Sequence, residues 1–343
     1  MRAIVINDHG DADVLEYRTD MPDPQLHSGE ALVRVEATSL NRIDLFVRGG
    51  YPGMTFDFPH VPGADVAGTV VEVAPDVTEF ADGDRVVAWP LVACGDCVLC
   101  RKGRRGLCVN WQYVGLHRHG SYADYVRIPT DSLIRLPDNV SYDTAATLPV
   151  AGLTAYHALT SVGGLAPGET ALVWGGSGGL GTFAVQIARH LGARAIATVG
   201  GEAKRAKLEA LGADLILNHH EDDVAAAVRD FTAGLGVELV LDSVGAQTFP
   251  IGFGLLQKGG RLLLCGKMTG MDVELSLHQT YLRHLSIHGL YLGEKPEMEA
   301  LLRLVADGAI APVVDRAYPL EQAADAQRAL QAGERFGKLV LNP

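Results

Sequence analysis

Ala171-Leu172-Val173-Trp174-Gly175-Gly176-Ser177-Gly178-Gly179-Leu180-Gly181 reads as a buried strand running into a glycine turn, and Phe183-Ala184-Val185-Gln186-Ile187-Ala188 continues it as an apolar helix. Residues 176–181 spell G-x-G-x-x-G in the strand–turn–helix context that gives this motif meaning. Glycines let such a turn close tightly and let backbone approach a pyrophosphate, whose charge meets free N–H groups and the positive end of the helix. The implied ligand is a dinucleotide, with Gly176, Ser177, Gly178, Gly179 and Leu180 as its expected cradle.

Outward from this turn, strand-like runs at 171–175, 194–199, 214–217, 238–242 and 261–265 alternate with amphipathic stretches such as 202–211. That alternation predicts βαβ units and a doubly wound parallel sheet. The end of the second strand decides the cofactor, because a carboxylate there would receive the adenosine ribose hydroxyls. The chain instead reads Thr198-Val199-Gly200-Gly201-Glu202-Ala203-Lys204-Arg205. With Gly200 at the tip and Lys204 and Arg205 following, a 2′-phosphate meets cations rather than a carboxylate, which favours NADPH and leaves NADH possible.

Residues 1 to about 130 have a different texture, with short β-type runs such as Ala31-Leu32-Val33-Arg34-Val35 and Thr69-Val70-Val71-Glu72-Val73 punctuated by Gly and Pro. Within this half Cys94, Cys97, Cys100 and Cys108 stand at C-x2-C-x2-C-x7-C, a spacing that suits four thiolates around one zinc. Four thiolates leave no open coordination position, so that metal would be structural. Cys265, in Leu262-Leu263-Leu264-Cys265-Gly266, reads as core, and His117 and His119 read as loop histidines beside the cysteine lobe.

The composition fits this picture. The chain has 343 residues, 48% of them hydrophobic, enough for two cored domains. With 29 Lys and Arg against 41 Asp and Glu, the net charge of -12 excludes nucleic acid and anionic membranes as expected partners. No signal-like start and no apolar run near the roughly 18 residues of a membrane span are present, and unpaired cysteines suit a reducing compartment, so a cytoplasmic location is expected.

The stretch Gly168-Glu169-x-x-Leu172-x-x-x-Gly176-Ser177-Gly178-Gly179-x-Gly181-x4-Gln186-x-x-Arg189 resembles the signature of the quinone oxidoreductase and zeta-crystallin group of the medium-chain dehydrogenase/reductase superfamily. Leu148-Pro149-Val150-Ala151-Gly152-Leu153-Thr154-Ala155-Tyr156 and Phe336-Gly337-Lys338-Leu339-Val340 match in order, so the resemblance spans the chain. It implies an α/β protein with a GroES-like, partly open β-barrel catalytic domain at 1–125, carrying the zinc lobe at 90–112 and completed by 290–343. A Rossmann domain is implied at 126–289, with the nicotinamide held between the two domains and Thr154 among the cofactor-binding residues. It also implies a homodimer or homotetramer, with 285–289 pairing between subunits.

In zinc-dependent alcohol dehydrogenases of that superfamily a cysteine, a Gly-His-Glu and a second cysteine build the catalytic site. Here the matching positions are Asn41, Gly63-Ala64-Asp65 and Val150, so no catalytic zinc is expected. The alternative is that Asp65 and His60 improvise a site. Asn41-Arg42-Ile43-Asp44-Leu45-Phe46-Val47-Arg48-Gly49-Gly50-Tyr51 is similar to the N-x-x-D-x-x-x-R-x-G-x-Y of quinone and enoyl reductases, with the tyrosine one residue early.

By that resemblance Asn41 meets the nicotinamide carboxamide or the substrate oxygen, Asp44 and Arg48 brace the loop, and Tyr51 donates a hydrogen bond or proton. A plain reading of the same spacing makes Asp44 and Arg48 a helix ion pair. The expected chemistry is metal-independent hydride transfer from NADPH to a small-molecule quinone, enone or enoyl thioester. Two alternatives stand beside it, an alcohol dehydrogenase with degenerate zinc ligands and a non-catalytic dinucleotide-binding protein.

Overall fold

The computed structural model describes residues 1–51 and 53–343. Their contacts divide into two units, one of Met1–Ala151, Glu294–Ala306 and Pro312–Pro343, the other of Gly152–Gly293 and Asp307–Ala311. Among the described residues no helix is long and apolar enough to cross a membrane.

The first unit is built on a sheet in the order Val314–Pro319, Lys338–Asn342, Glu30–Ser39, Ala67–Val73, Arg85–Ala88, Leu133–Arg135, with Tyr125–Pro129 also pairing to Glu30–Ser39. Its core is β-branched and small: Val33, Val35, Val66, Val70, Val86, Val126 and Ile128 pack from facing strands. The boundary expected at 125/126 lies instead after Ala151. Tyr125–Pro129 and Leu133–Arg135 pair with strands of this sheet, and those pairings reach back across the sequence where no local pattern announces them. The return of the C-terminal residues is as the resemblance implies, with Lys338–Asn342 antiparallel to Glu30–Ser39 through Val340 and Ser39.

The second unit is a six-stranded sheet, parallel throughout, in the order Leu215–Asn218, Arg194–Val199, Thr170–Val173, Val237–Asp242, Leu256–Leu264, Ser286–Gly289. Strand order reverses at Thr170–Val173, so the carboxyl ends of that strand and its neighbours form the switch point where such sheets bind ligands. Leu172, Ile196, Val240 and Leu262 stack across the sheet in one core with Trp174, Phe249 and Phe253. The expected α/β Rossmann sheet is therefore present, with each predicted strand within a few residues of its place.

Candidate active site

In the second unit the glycine turn sits at the sheet's switch point. Gly178 caps helix Gly179–His190 in an extended conformation, and Gly175 turns through a φ of 71°. The turn is fixed to the neighbouring strand, since the Gly175 and Gly176 N–H groups donate to Thr198 Oγ1 at 2.9 Å and Thr198 O at 2.8 Å. A Cβ at Gly181 would lie 2.3 Å from Gly175 O and 2.5 Å from Gly176 Cα, so only glycine lets the helix pack this close to the turn. Ser177 is buried in the turn and Thr154 is buried in helix Leu153–His157.

At the tip of Arg194–Val199 the expected cations separate. Arg205 is committed within the protein: Nε donates to Glu202 Oε1 at 2.8 Å, Nη1 to Ile216 O, and Nη2 stands 3.6 Å from Asp222 Oδ2. Lys204 ends the short turn Glu202–Lys204, and Gly200 lies against His219 and His220 from the end of Leu215–Asn218. Sequence reading passed over these histidines because nothing local ties them to the second strand.

In the first unit Asn41 caps helix Arg42–Gly49, and a buried polar network surrounds it. Its Nδ2 donates to Asp65 Oδ2 at 2.7 Å and to Ser39 O at 3.2 Å, while its Oδ1 accepts from Lys338 Nζ at 2.5 Å. Lys338 Nζ also donates to Leu40 O at 2.7 Å and lies 3.4 Å from Asp65 Oδ2. Asp65, 0% exposed, further accepts from Ser39 Oγ and from the Val150 N–H at 3.0 Å. Burial pushes the Asp65 carboxyl up and the Lys338 ammonium down, and their mutual attraction opposes both shifts.

This geometry corrects two expectations. Both amide N–H groups of Asn41 are spent inside the protein, so the side chain has no donor left for a carboxamide or a substrate oxygen. Nor do Asp44 and Arg48 form a helix ion pair. Asp44 Oδ2 accepts from the Asn41 N–H at 2.7 Å and from Tyr122 Oη at 3.1 Å, whereas Arg48 donates to Gln327 and Gln331. Burial, with Asp65 nearby, raises Asp44 to about 7. Tyr51 stands beyond the helix, its ring edge-on to Phe46 with centroids 6.3 Å apart.

A catalytic metal does not fit here. Asp65 already accepts from four donors, one of them an ammonium, and the neighbouring positions are Asn41, Ala64 and Val150. His60 turns Nε2 to Gly115 O at 3.1 Å, and burial lowers it to about 4, so it does not join Asp65 in a site. Burial lowers both the Arg42 and the Arg335 guanidinium, and Arg335, which also feels Arg42, falls to about 10. Such a pair suits an anionic ligand group.

The four cysteines do fit a metal. Their Sγ atoms all lie within 4.8 Å of one another, with Cys94 and Cys108 at 3.4 Å and Cys97 and Cys108 at 4.0 Å. A zinc–thiolate bond of ~2.3 Å sets tetrahedral sulfur separations of ~3.8 Å, which these values bracket. The N–H groups of Cys100 and Val109 pull the Cys97 thiol down to about 6, the thiolate a metal requires. His117 and His119 accept from the N–H groups of Tyr113 and Val61 through Nδ1 and are loop residues, not ligands. Cys265 faces Asp242 O at 3.7 Å, and burial pushes its thiol up to about 12.

Comparison with known proteins agrees with both halves. Residues 27–138 match the model of the alcohol dehydrogenase GroES-like domain, and 179–307 match that of the zinc-binding dehydrogenases. An alcohol dehydrogenase from Geobacillus stearothermophilus is 32% identical over 94% of each chain, and an acryloyl-coenzyme A reductase from Metallosphaera sedula is 30% identical over 99% of each. The crystal structure of an NAD-dependent alcohol dehydrogenase superposes with a TM-score of 0.95 at 39% identity over the whole of both chains. A nicotinamide turn in one unit, a four-thiol lobe in the other and these relatives together place the chain among the oxidoreductases of the medium-chain dehydrogenase/reductase superfamily.

Proposed function

We propose that the chain reduces an activated acceptor, an enone, enoyl thioester or quinone, with NADPH and without a catalytic metal. The observation that carries this reading is the saturated Asp65, whose fourth donor is the Lys338 ammonium where a metal-dependent relative would need free ligands. A simple ketone needs its oxygen polarised, whereas in a conjugated acceptor the charge that hydride brings to the β-carbon spreads to an oxygen that hydrogen bonds can hold. The nicotinamide supplies the hydride.

Within the chain, Asn41 and Asp44 act as positioning residues that hold the start of helix Arg42–Gly49. Tyr51 is the candidate hydrogen-bond or proton donor. Gly176, Ser177, Gly178, Gly179 and Leu180 cradle the pyrophosphate, and Thr154 contributes from its helix. The four cysteines hold one structural zinc that fixes the lobe.

The acryloyl-coenzyme A reductase among the relatives supports an enoyl thioester. Alcohol oxidation is the second reading, favoured by the relatives named alcohol dehydrogenase, and the one named NAD-dependent favours NADH. The discriminating assay follows NADPH and NADH oxidation with a quinone, an enone, an enoyl-coenzyme A and an aldehyde, and cofactor reduction with simple alcohols. Conjugated acceptors should dominate, and Tyr51→Phe should lower their kcat roughly 100-fold. Alcohol oxidation as the best activity would overturn the proposal, and unchanged kcat in the Tyr51 variant would remove that residue from it.

We also propose a homodimer or homotetramer in the cytoplasm. Ser286–Gly289 ends the order of its sheet, and Leu277, Tyr281 and Leu282 nearby are exposed. The five cysteines are free thiols, as a reducing compartment keeps them. Light scattering that returns the mass of one chain would refute the assembly.

A further inference from the structure

We propose that His219 and His220, together with Lys204, form the seat of the adenosine 2′-phosphate, and that this seat makes the preference for NADPH over NADH rise as pH falls. The inference rests on the NADPH reading and deepens it.

The geometry starts at Gly200, the tip of the second strand, where the adenosine ribose of a dinucleotide lies in this fold. A Cβ added at Gly200 would stand 3.4 Å from His219 Cε1 and 3.5 Å from His220 Nε2, so both imidazoles border the space a ribose substituent would enter. The two rings are 4.2 Å apart between centroids and tilted by 52°. Both residues are exposed, and the His219 N–H is tied to Val199 O at 3.0 Å, which fixes the pair to the strand tip.

Other charged groups stand on the elements around the rings. From the turn Glu202–Lys204 come Glu202 and Lys204, from helix Arg205–Ala210 comes Arg205, and from the loop after Leu215–Asn218 come Glu221 and Asp222. Glu202 is held by Arg205, and Asp222 lies beside Arg205 while accepting from the Asn218 N–H at 2.7 Å. Among the described residues no carboxylate forms an ion pair with either imidazole. Arg205, one of the two cations that the sequence suggested, is held within the protein by Glu202 and Ile216 O.

Desolvation, His220 and Lys204 all lower the pKa of His219. A phosphate reverses that balance, because it accepts from both imidazolium rings and from the ammonium. Protonation and phosphate binding therefore favour one another, and a ribose hydroxyl gives no comparable gain. At low pH the seat selects NADPH, and as pH rises His219 loses its charge and the preference falls.

The test is equilibrium titration of the protein with NADPH and with NADH, read by nicotinamide fluorescence without substrate, at pH 6, 7 and 8. Wild type is compared with His219→Gln/His220→Gln. The second ionisation of the 2′-phosphate, near pH 6, is common to both proteins, so their difference isolates the imidazoles. Between pH 8 and pH 6 the ratio of the NADH to the NADPH Kd should rise about 10-fold more in wild type than in the variant. NADH affinity should be equal in the two proteins, which also shows that the exposed substitutions leave the fold intact. Equal pH slopes with NADPH still preferred would overturn the histidine seat and leave the NADPH reading standing. Tighter binding of NADH by wild type at every pH would overturn the NADPH reading, and the seat with it.

Discussion

Replacing Lys338 by methionine tests the buried network most directly. The substitution keeps a flexible apolar stem and removes the ammonium that meets Leu40 O at 2.7 Å, Asn41 Oδ1 at 2.5 Å and Asp65 Oδ2 at 3.4 Å. Asp65, with a 0% exposed side chain, is left with three neutral donors and no counter-charge. Removing one partner of a buried pair costs ~3–5 kcal/mol. A domain of this size loses ~2–4 °C for each kcal/mol, so Tm should fall by roughly 6–20 °C.

The pH dependence carries a sign. Burial already raises Asp65 above an ordinary carboxyl, and losing the cation raises it further. A group with a raised folded-state pKa contributes stability that is full below its unfolded value and is lost as pH rises through the folded one. The Lys338→Met deficit should therefore be larger at pH 8 than at pH 5. The assay is thermal and urea unfolding at both values, for the single variant and for Lys338→Met/Asp65→Asn, in which no buried charge remains. The double variant should recover more than half of the loss. A single variant within 0.5 kcal/mol of wild type at pH 8, a cut well under the ~3 kcal/mol expected, or a deficit indifferent to pH, would refute the reasoning.

Three further outcomes are expected. Trp174 Nε1 is buried without an acceptor, so Trp174→Phe should leave stability unchanged or raise it by up to ~1–2 kcal/mol in urea unfolding, and a loss above ~1 kcal/mol would contradict this account. Asp44, raised to about 7, should make wild type lose stability as pH climbs from about 4 through 7, by roughly 4 kcal/mol at most, and Asp44→Asn should flatten that slope. Metal analysis should find about one zinc per chain and less than half that in Cys100→Ser, whereas two zincs in wild type would show a second site.

Local chemistry made much of this legible. The glycine turn, its strand and its helix are contiguous, and alternating strand and helix periods announce a parallel sheet whatever lies elsewhere. The cysteines are equally local. What escaped reading depends on contacts between distant residues. Lys338 and Asp65 are 273 residues apart, and no spacing rule links them. The domain boundary was displaced because Tyr125–Pro129 finds its partner in Glu30–Ser39. Lys204 and Arg205 look alike in sequence, yet only the fold shows that Arg205 is held by Glu202 and Ile216 O and that His219 and His220 border Gly200. The buried contacts of Asn41 escaped in the same way, since Asp65 and Lys338 lie far from it in sequence.

The pairing of Lys338–Asn342 with Glu30–Ser39 has a consequence for the order in which the protein is made. A ribosome delivers Gly152–Gly293 before it delivers Lys338, and at about 5–20 residues per second the interval is several seconds. During that time the six parallel strands have every partner they need, while Glu30–Ser39 lacks a neighbour and Asp65 lacks its cation. The nucleotide-binding unit is therefore the first part of the nascent chain able to close, and the unit translated first is the one completed last.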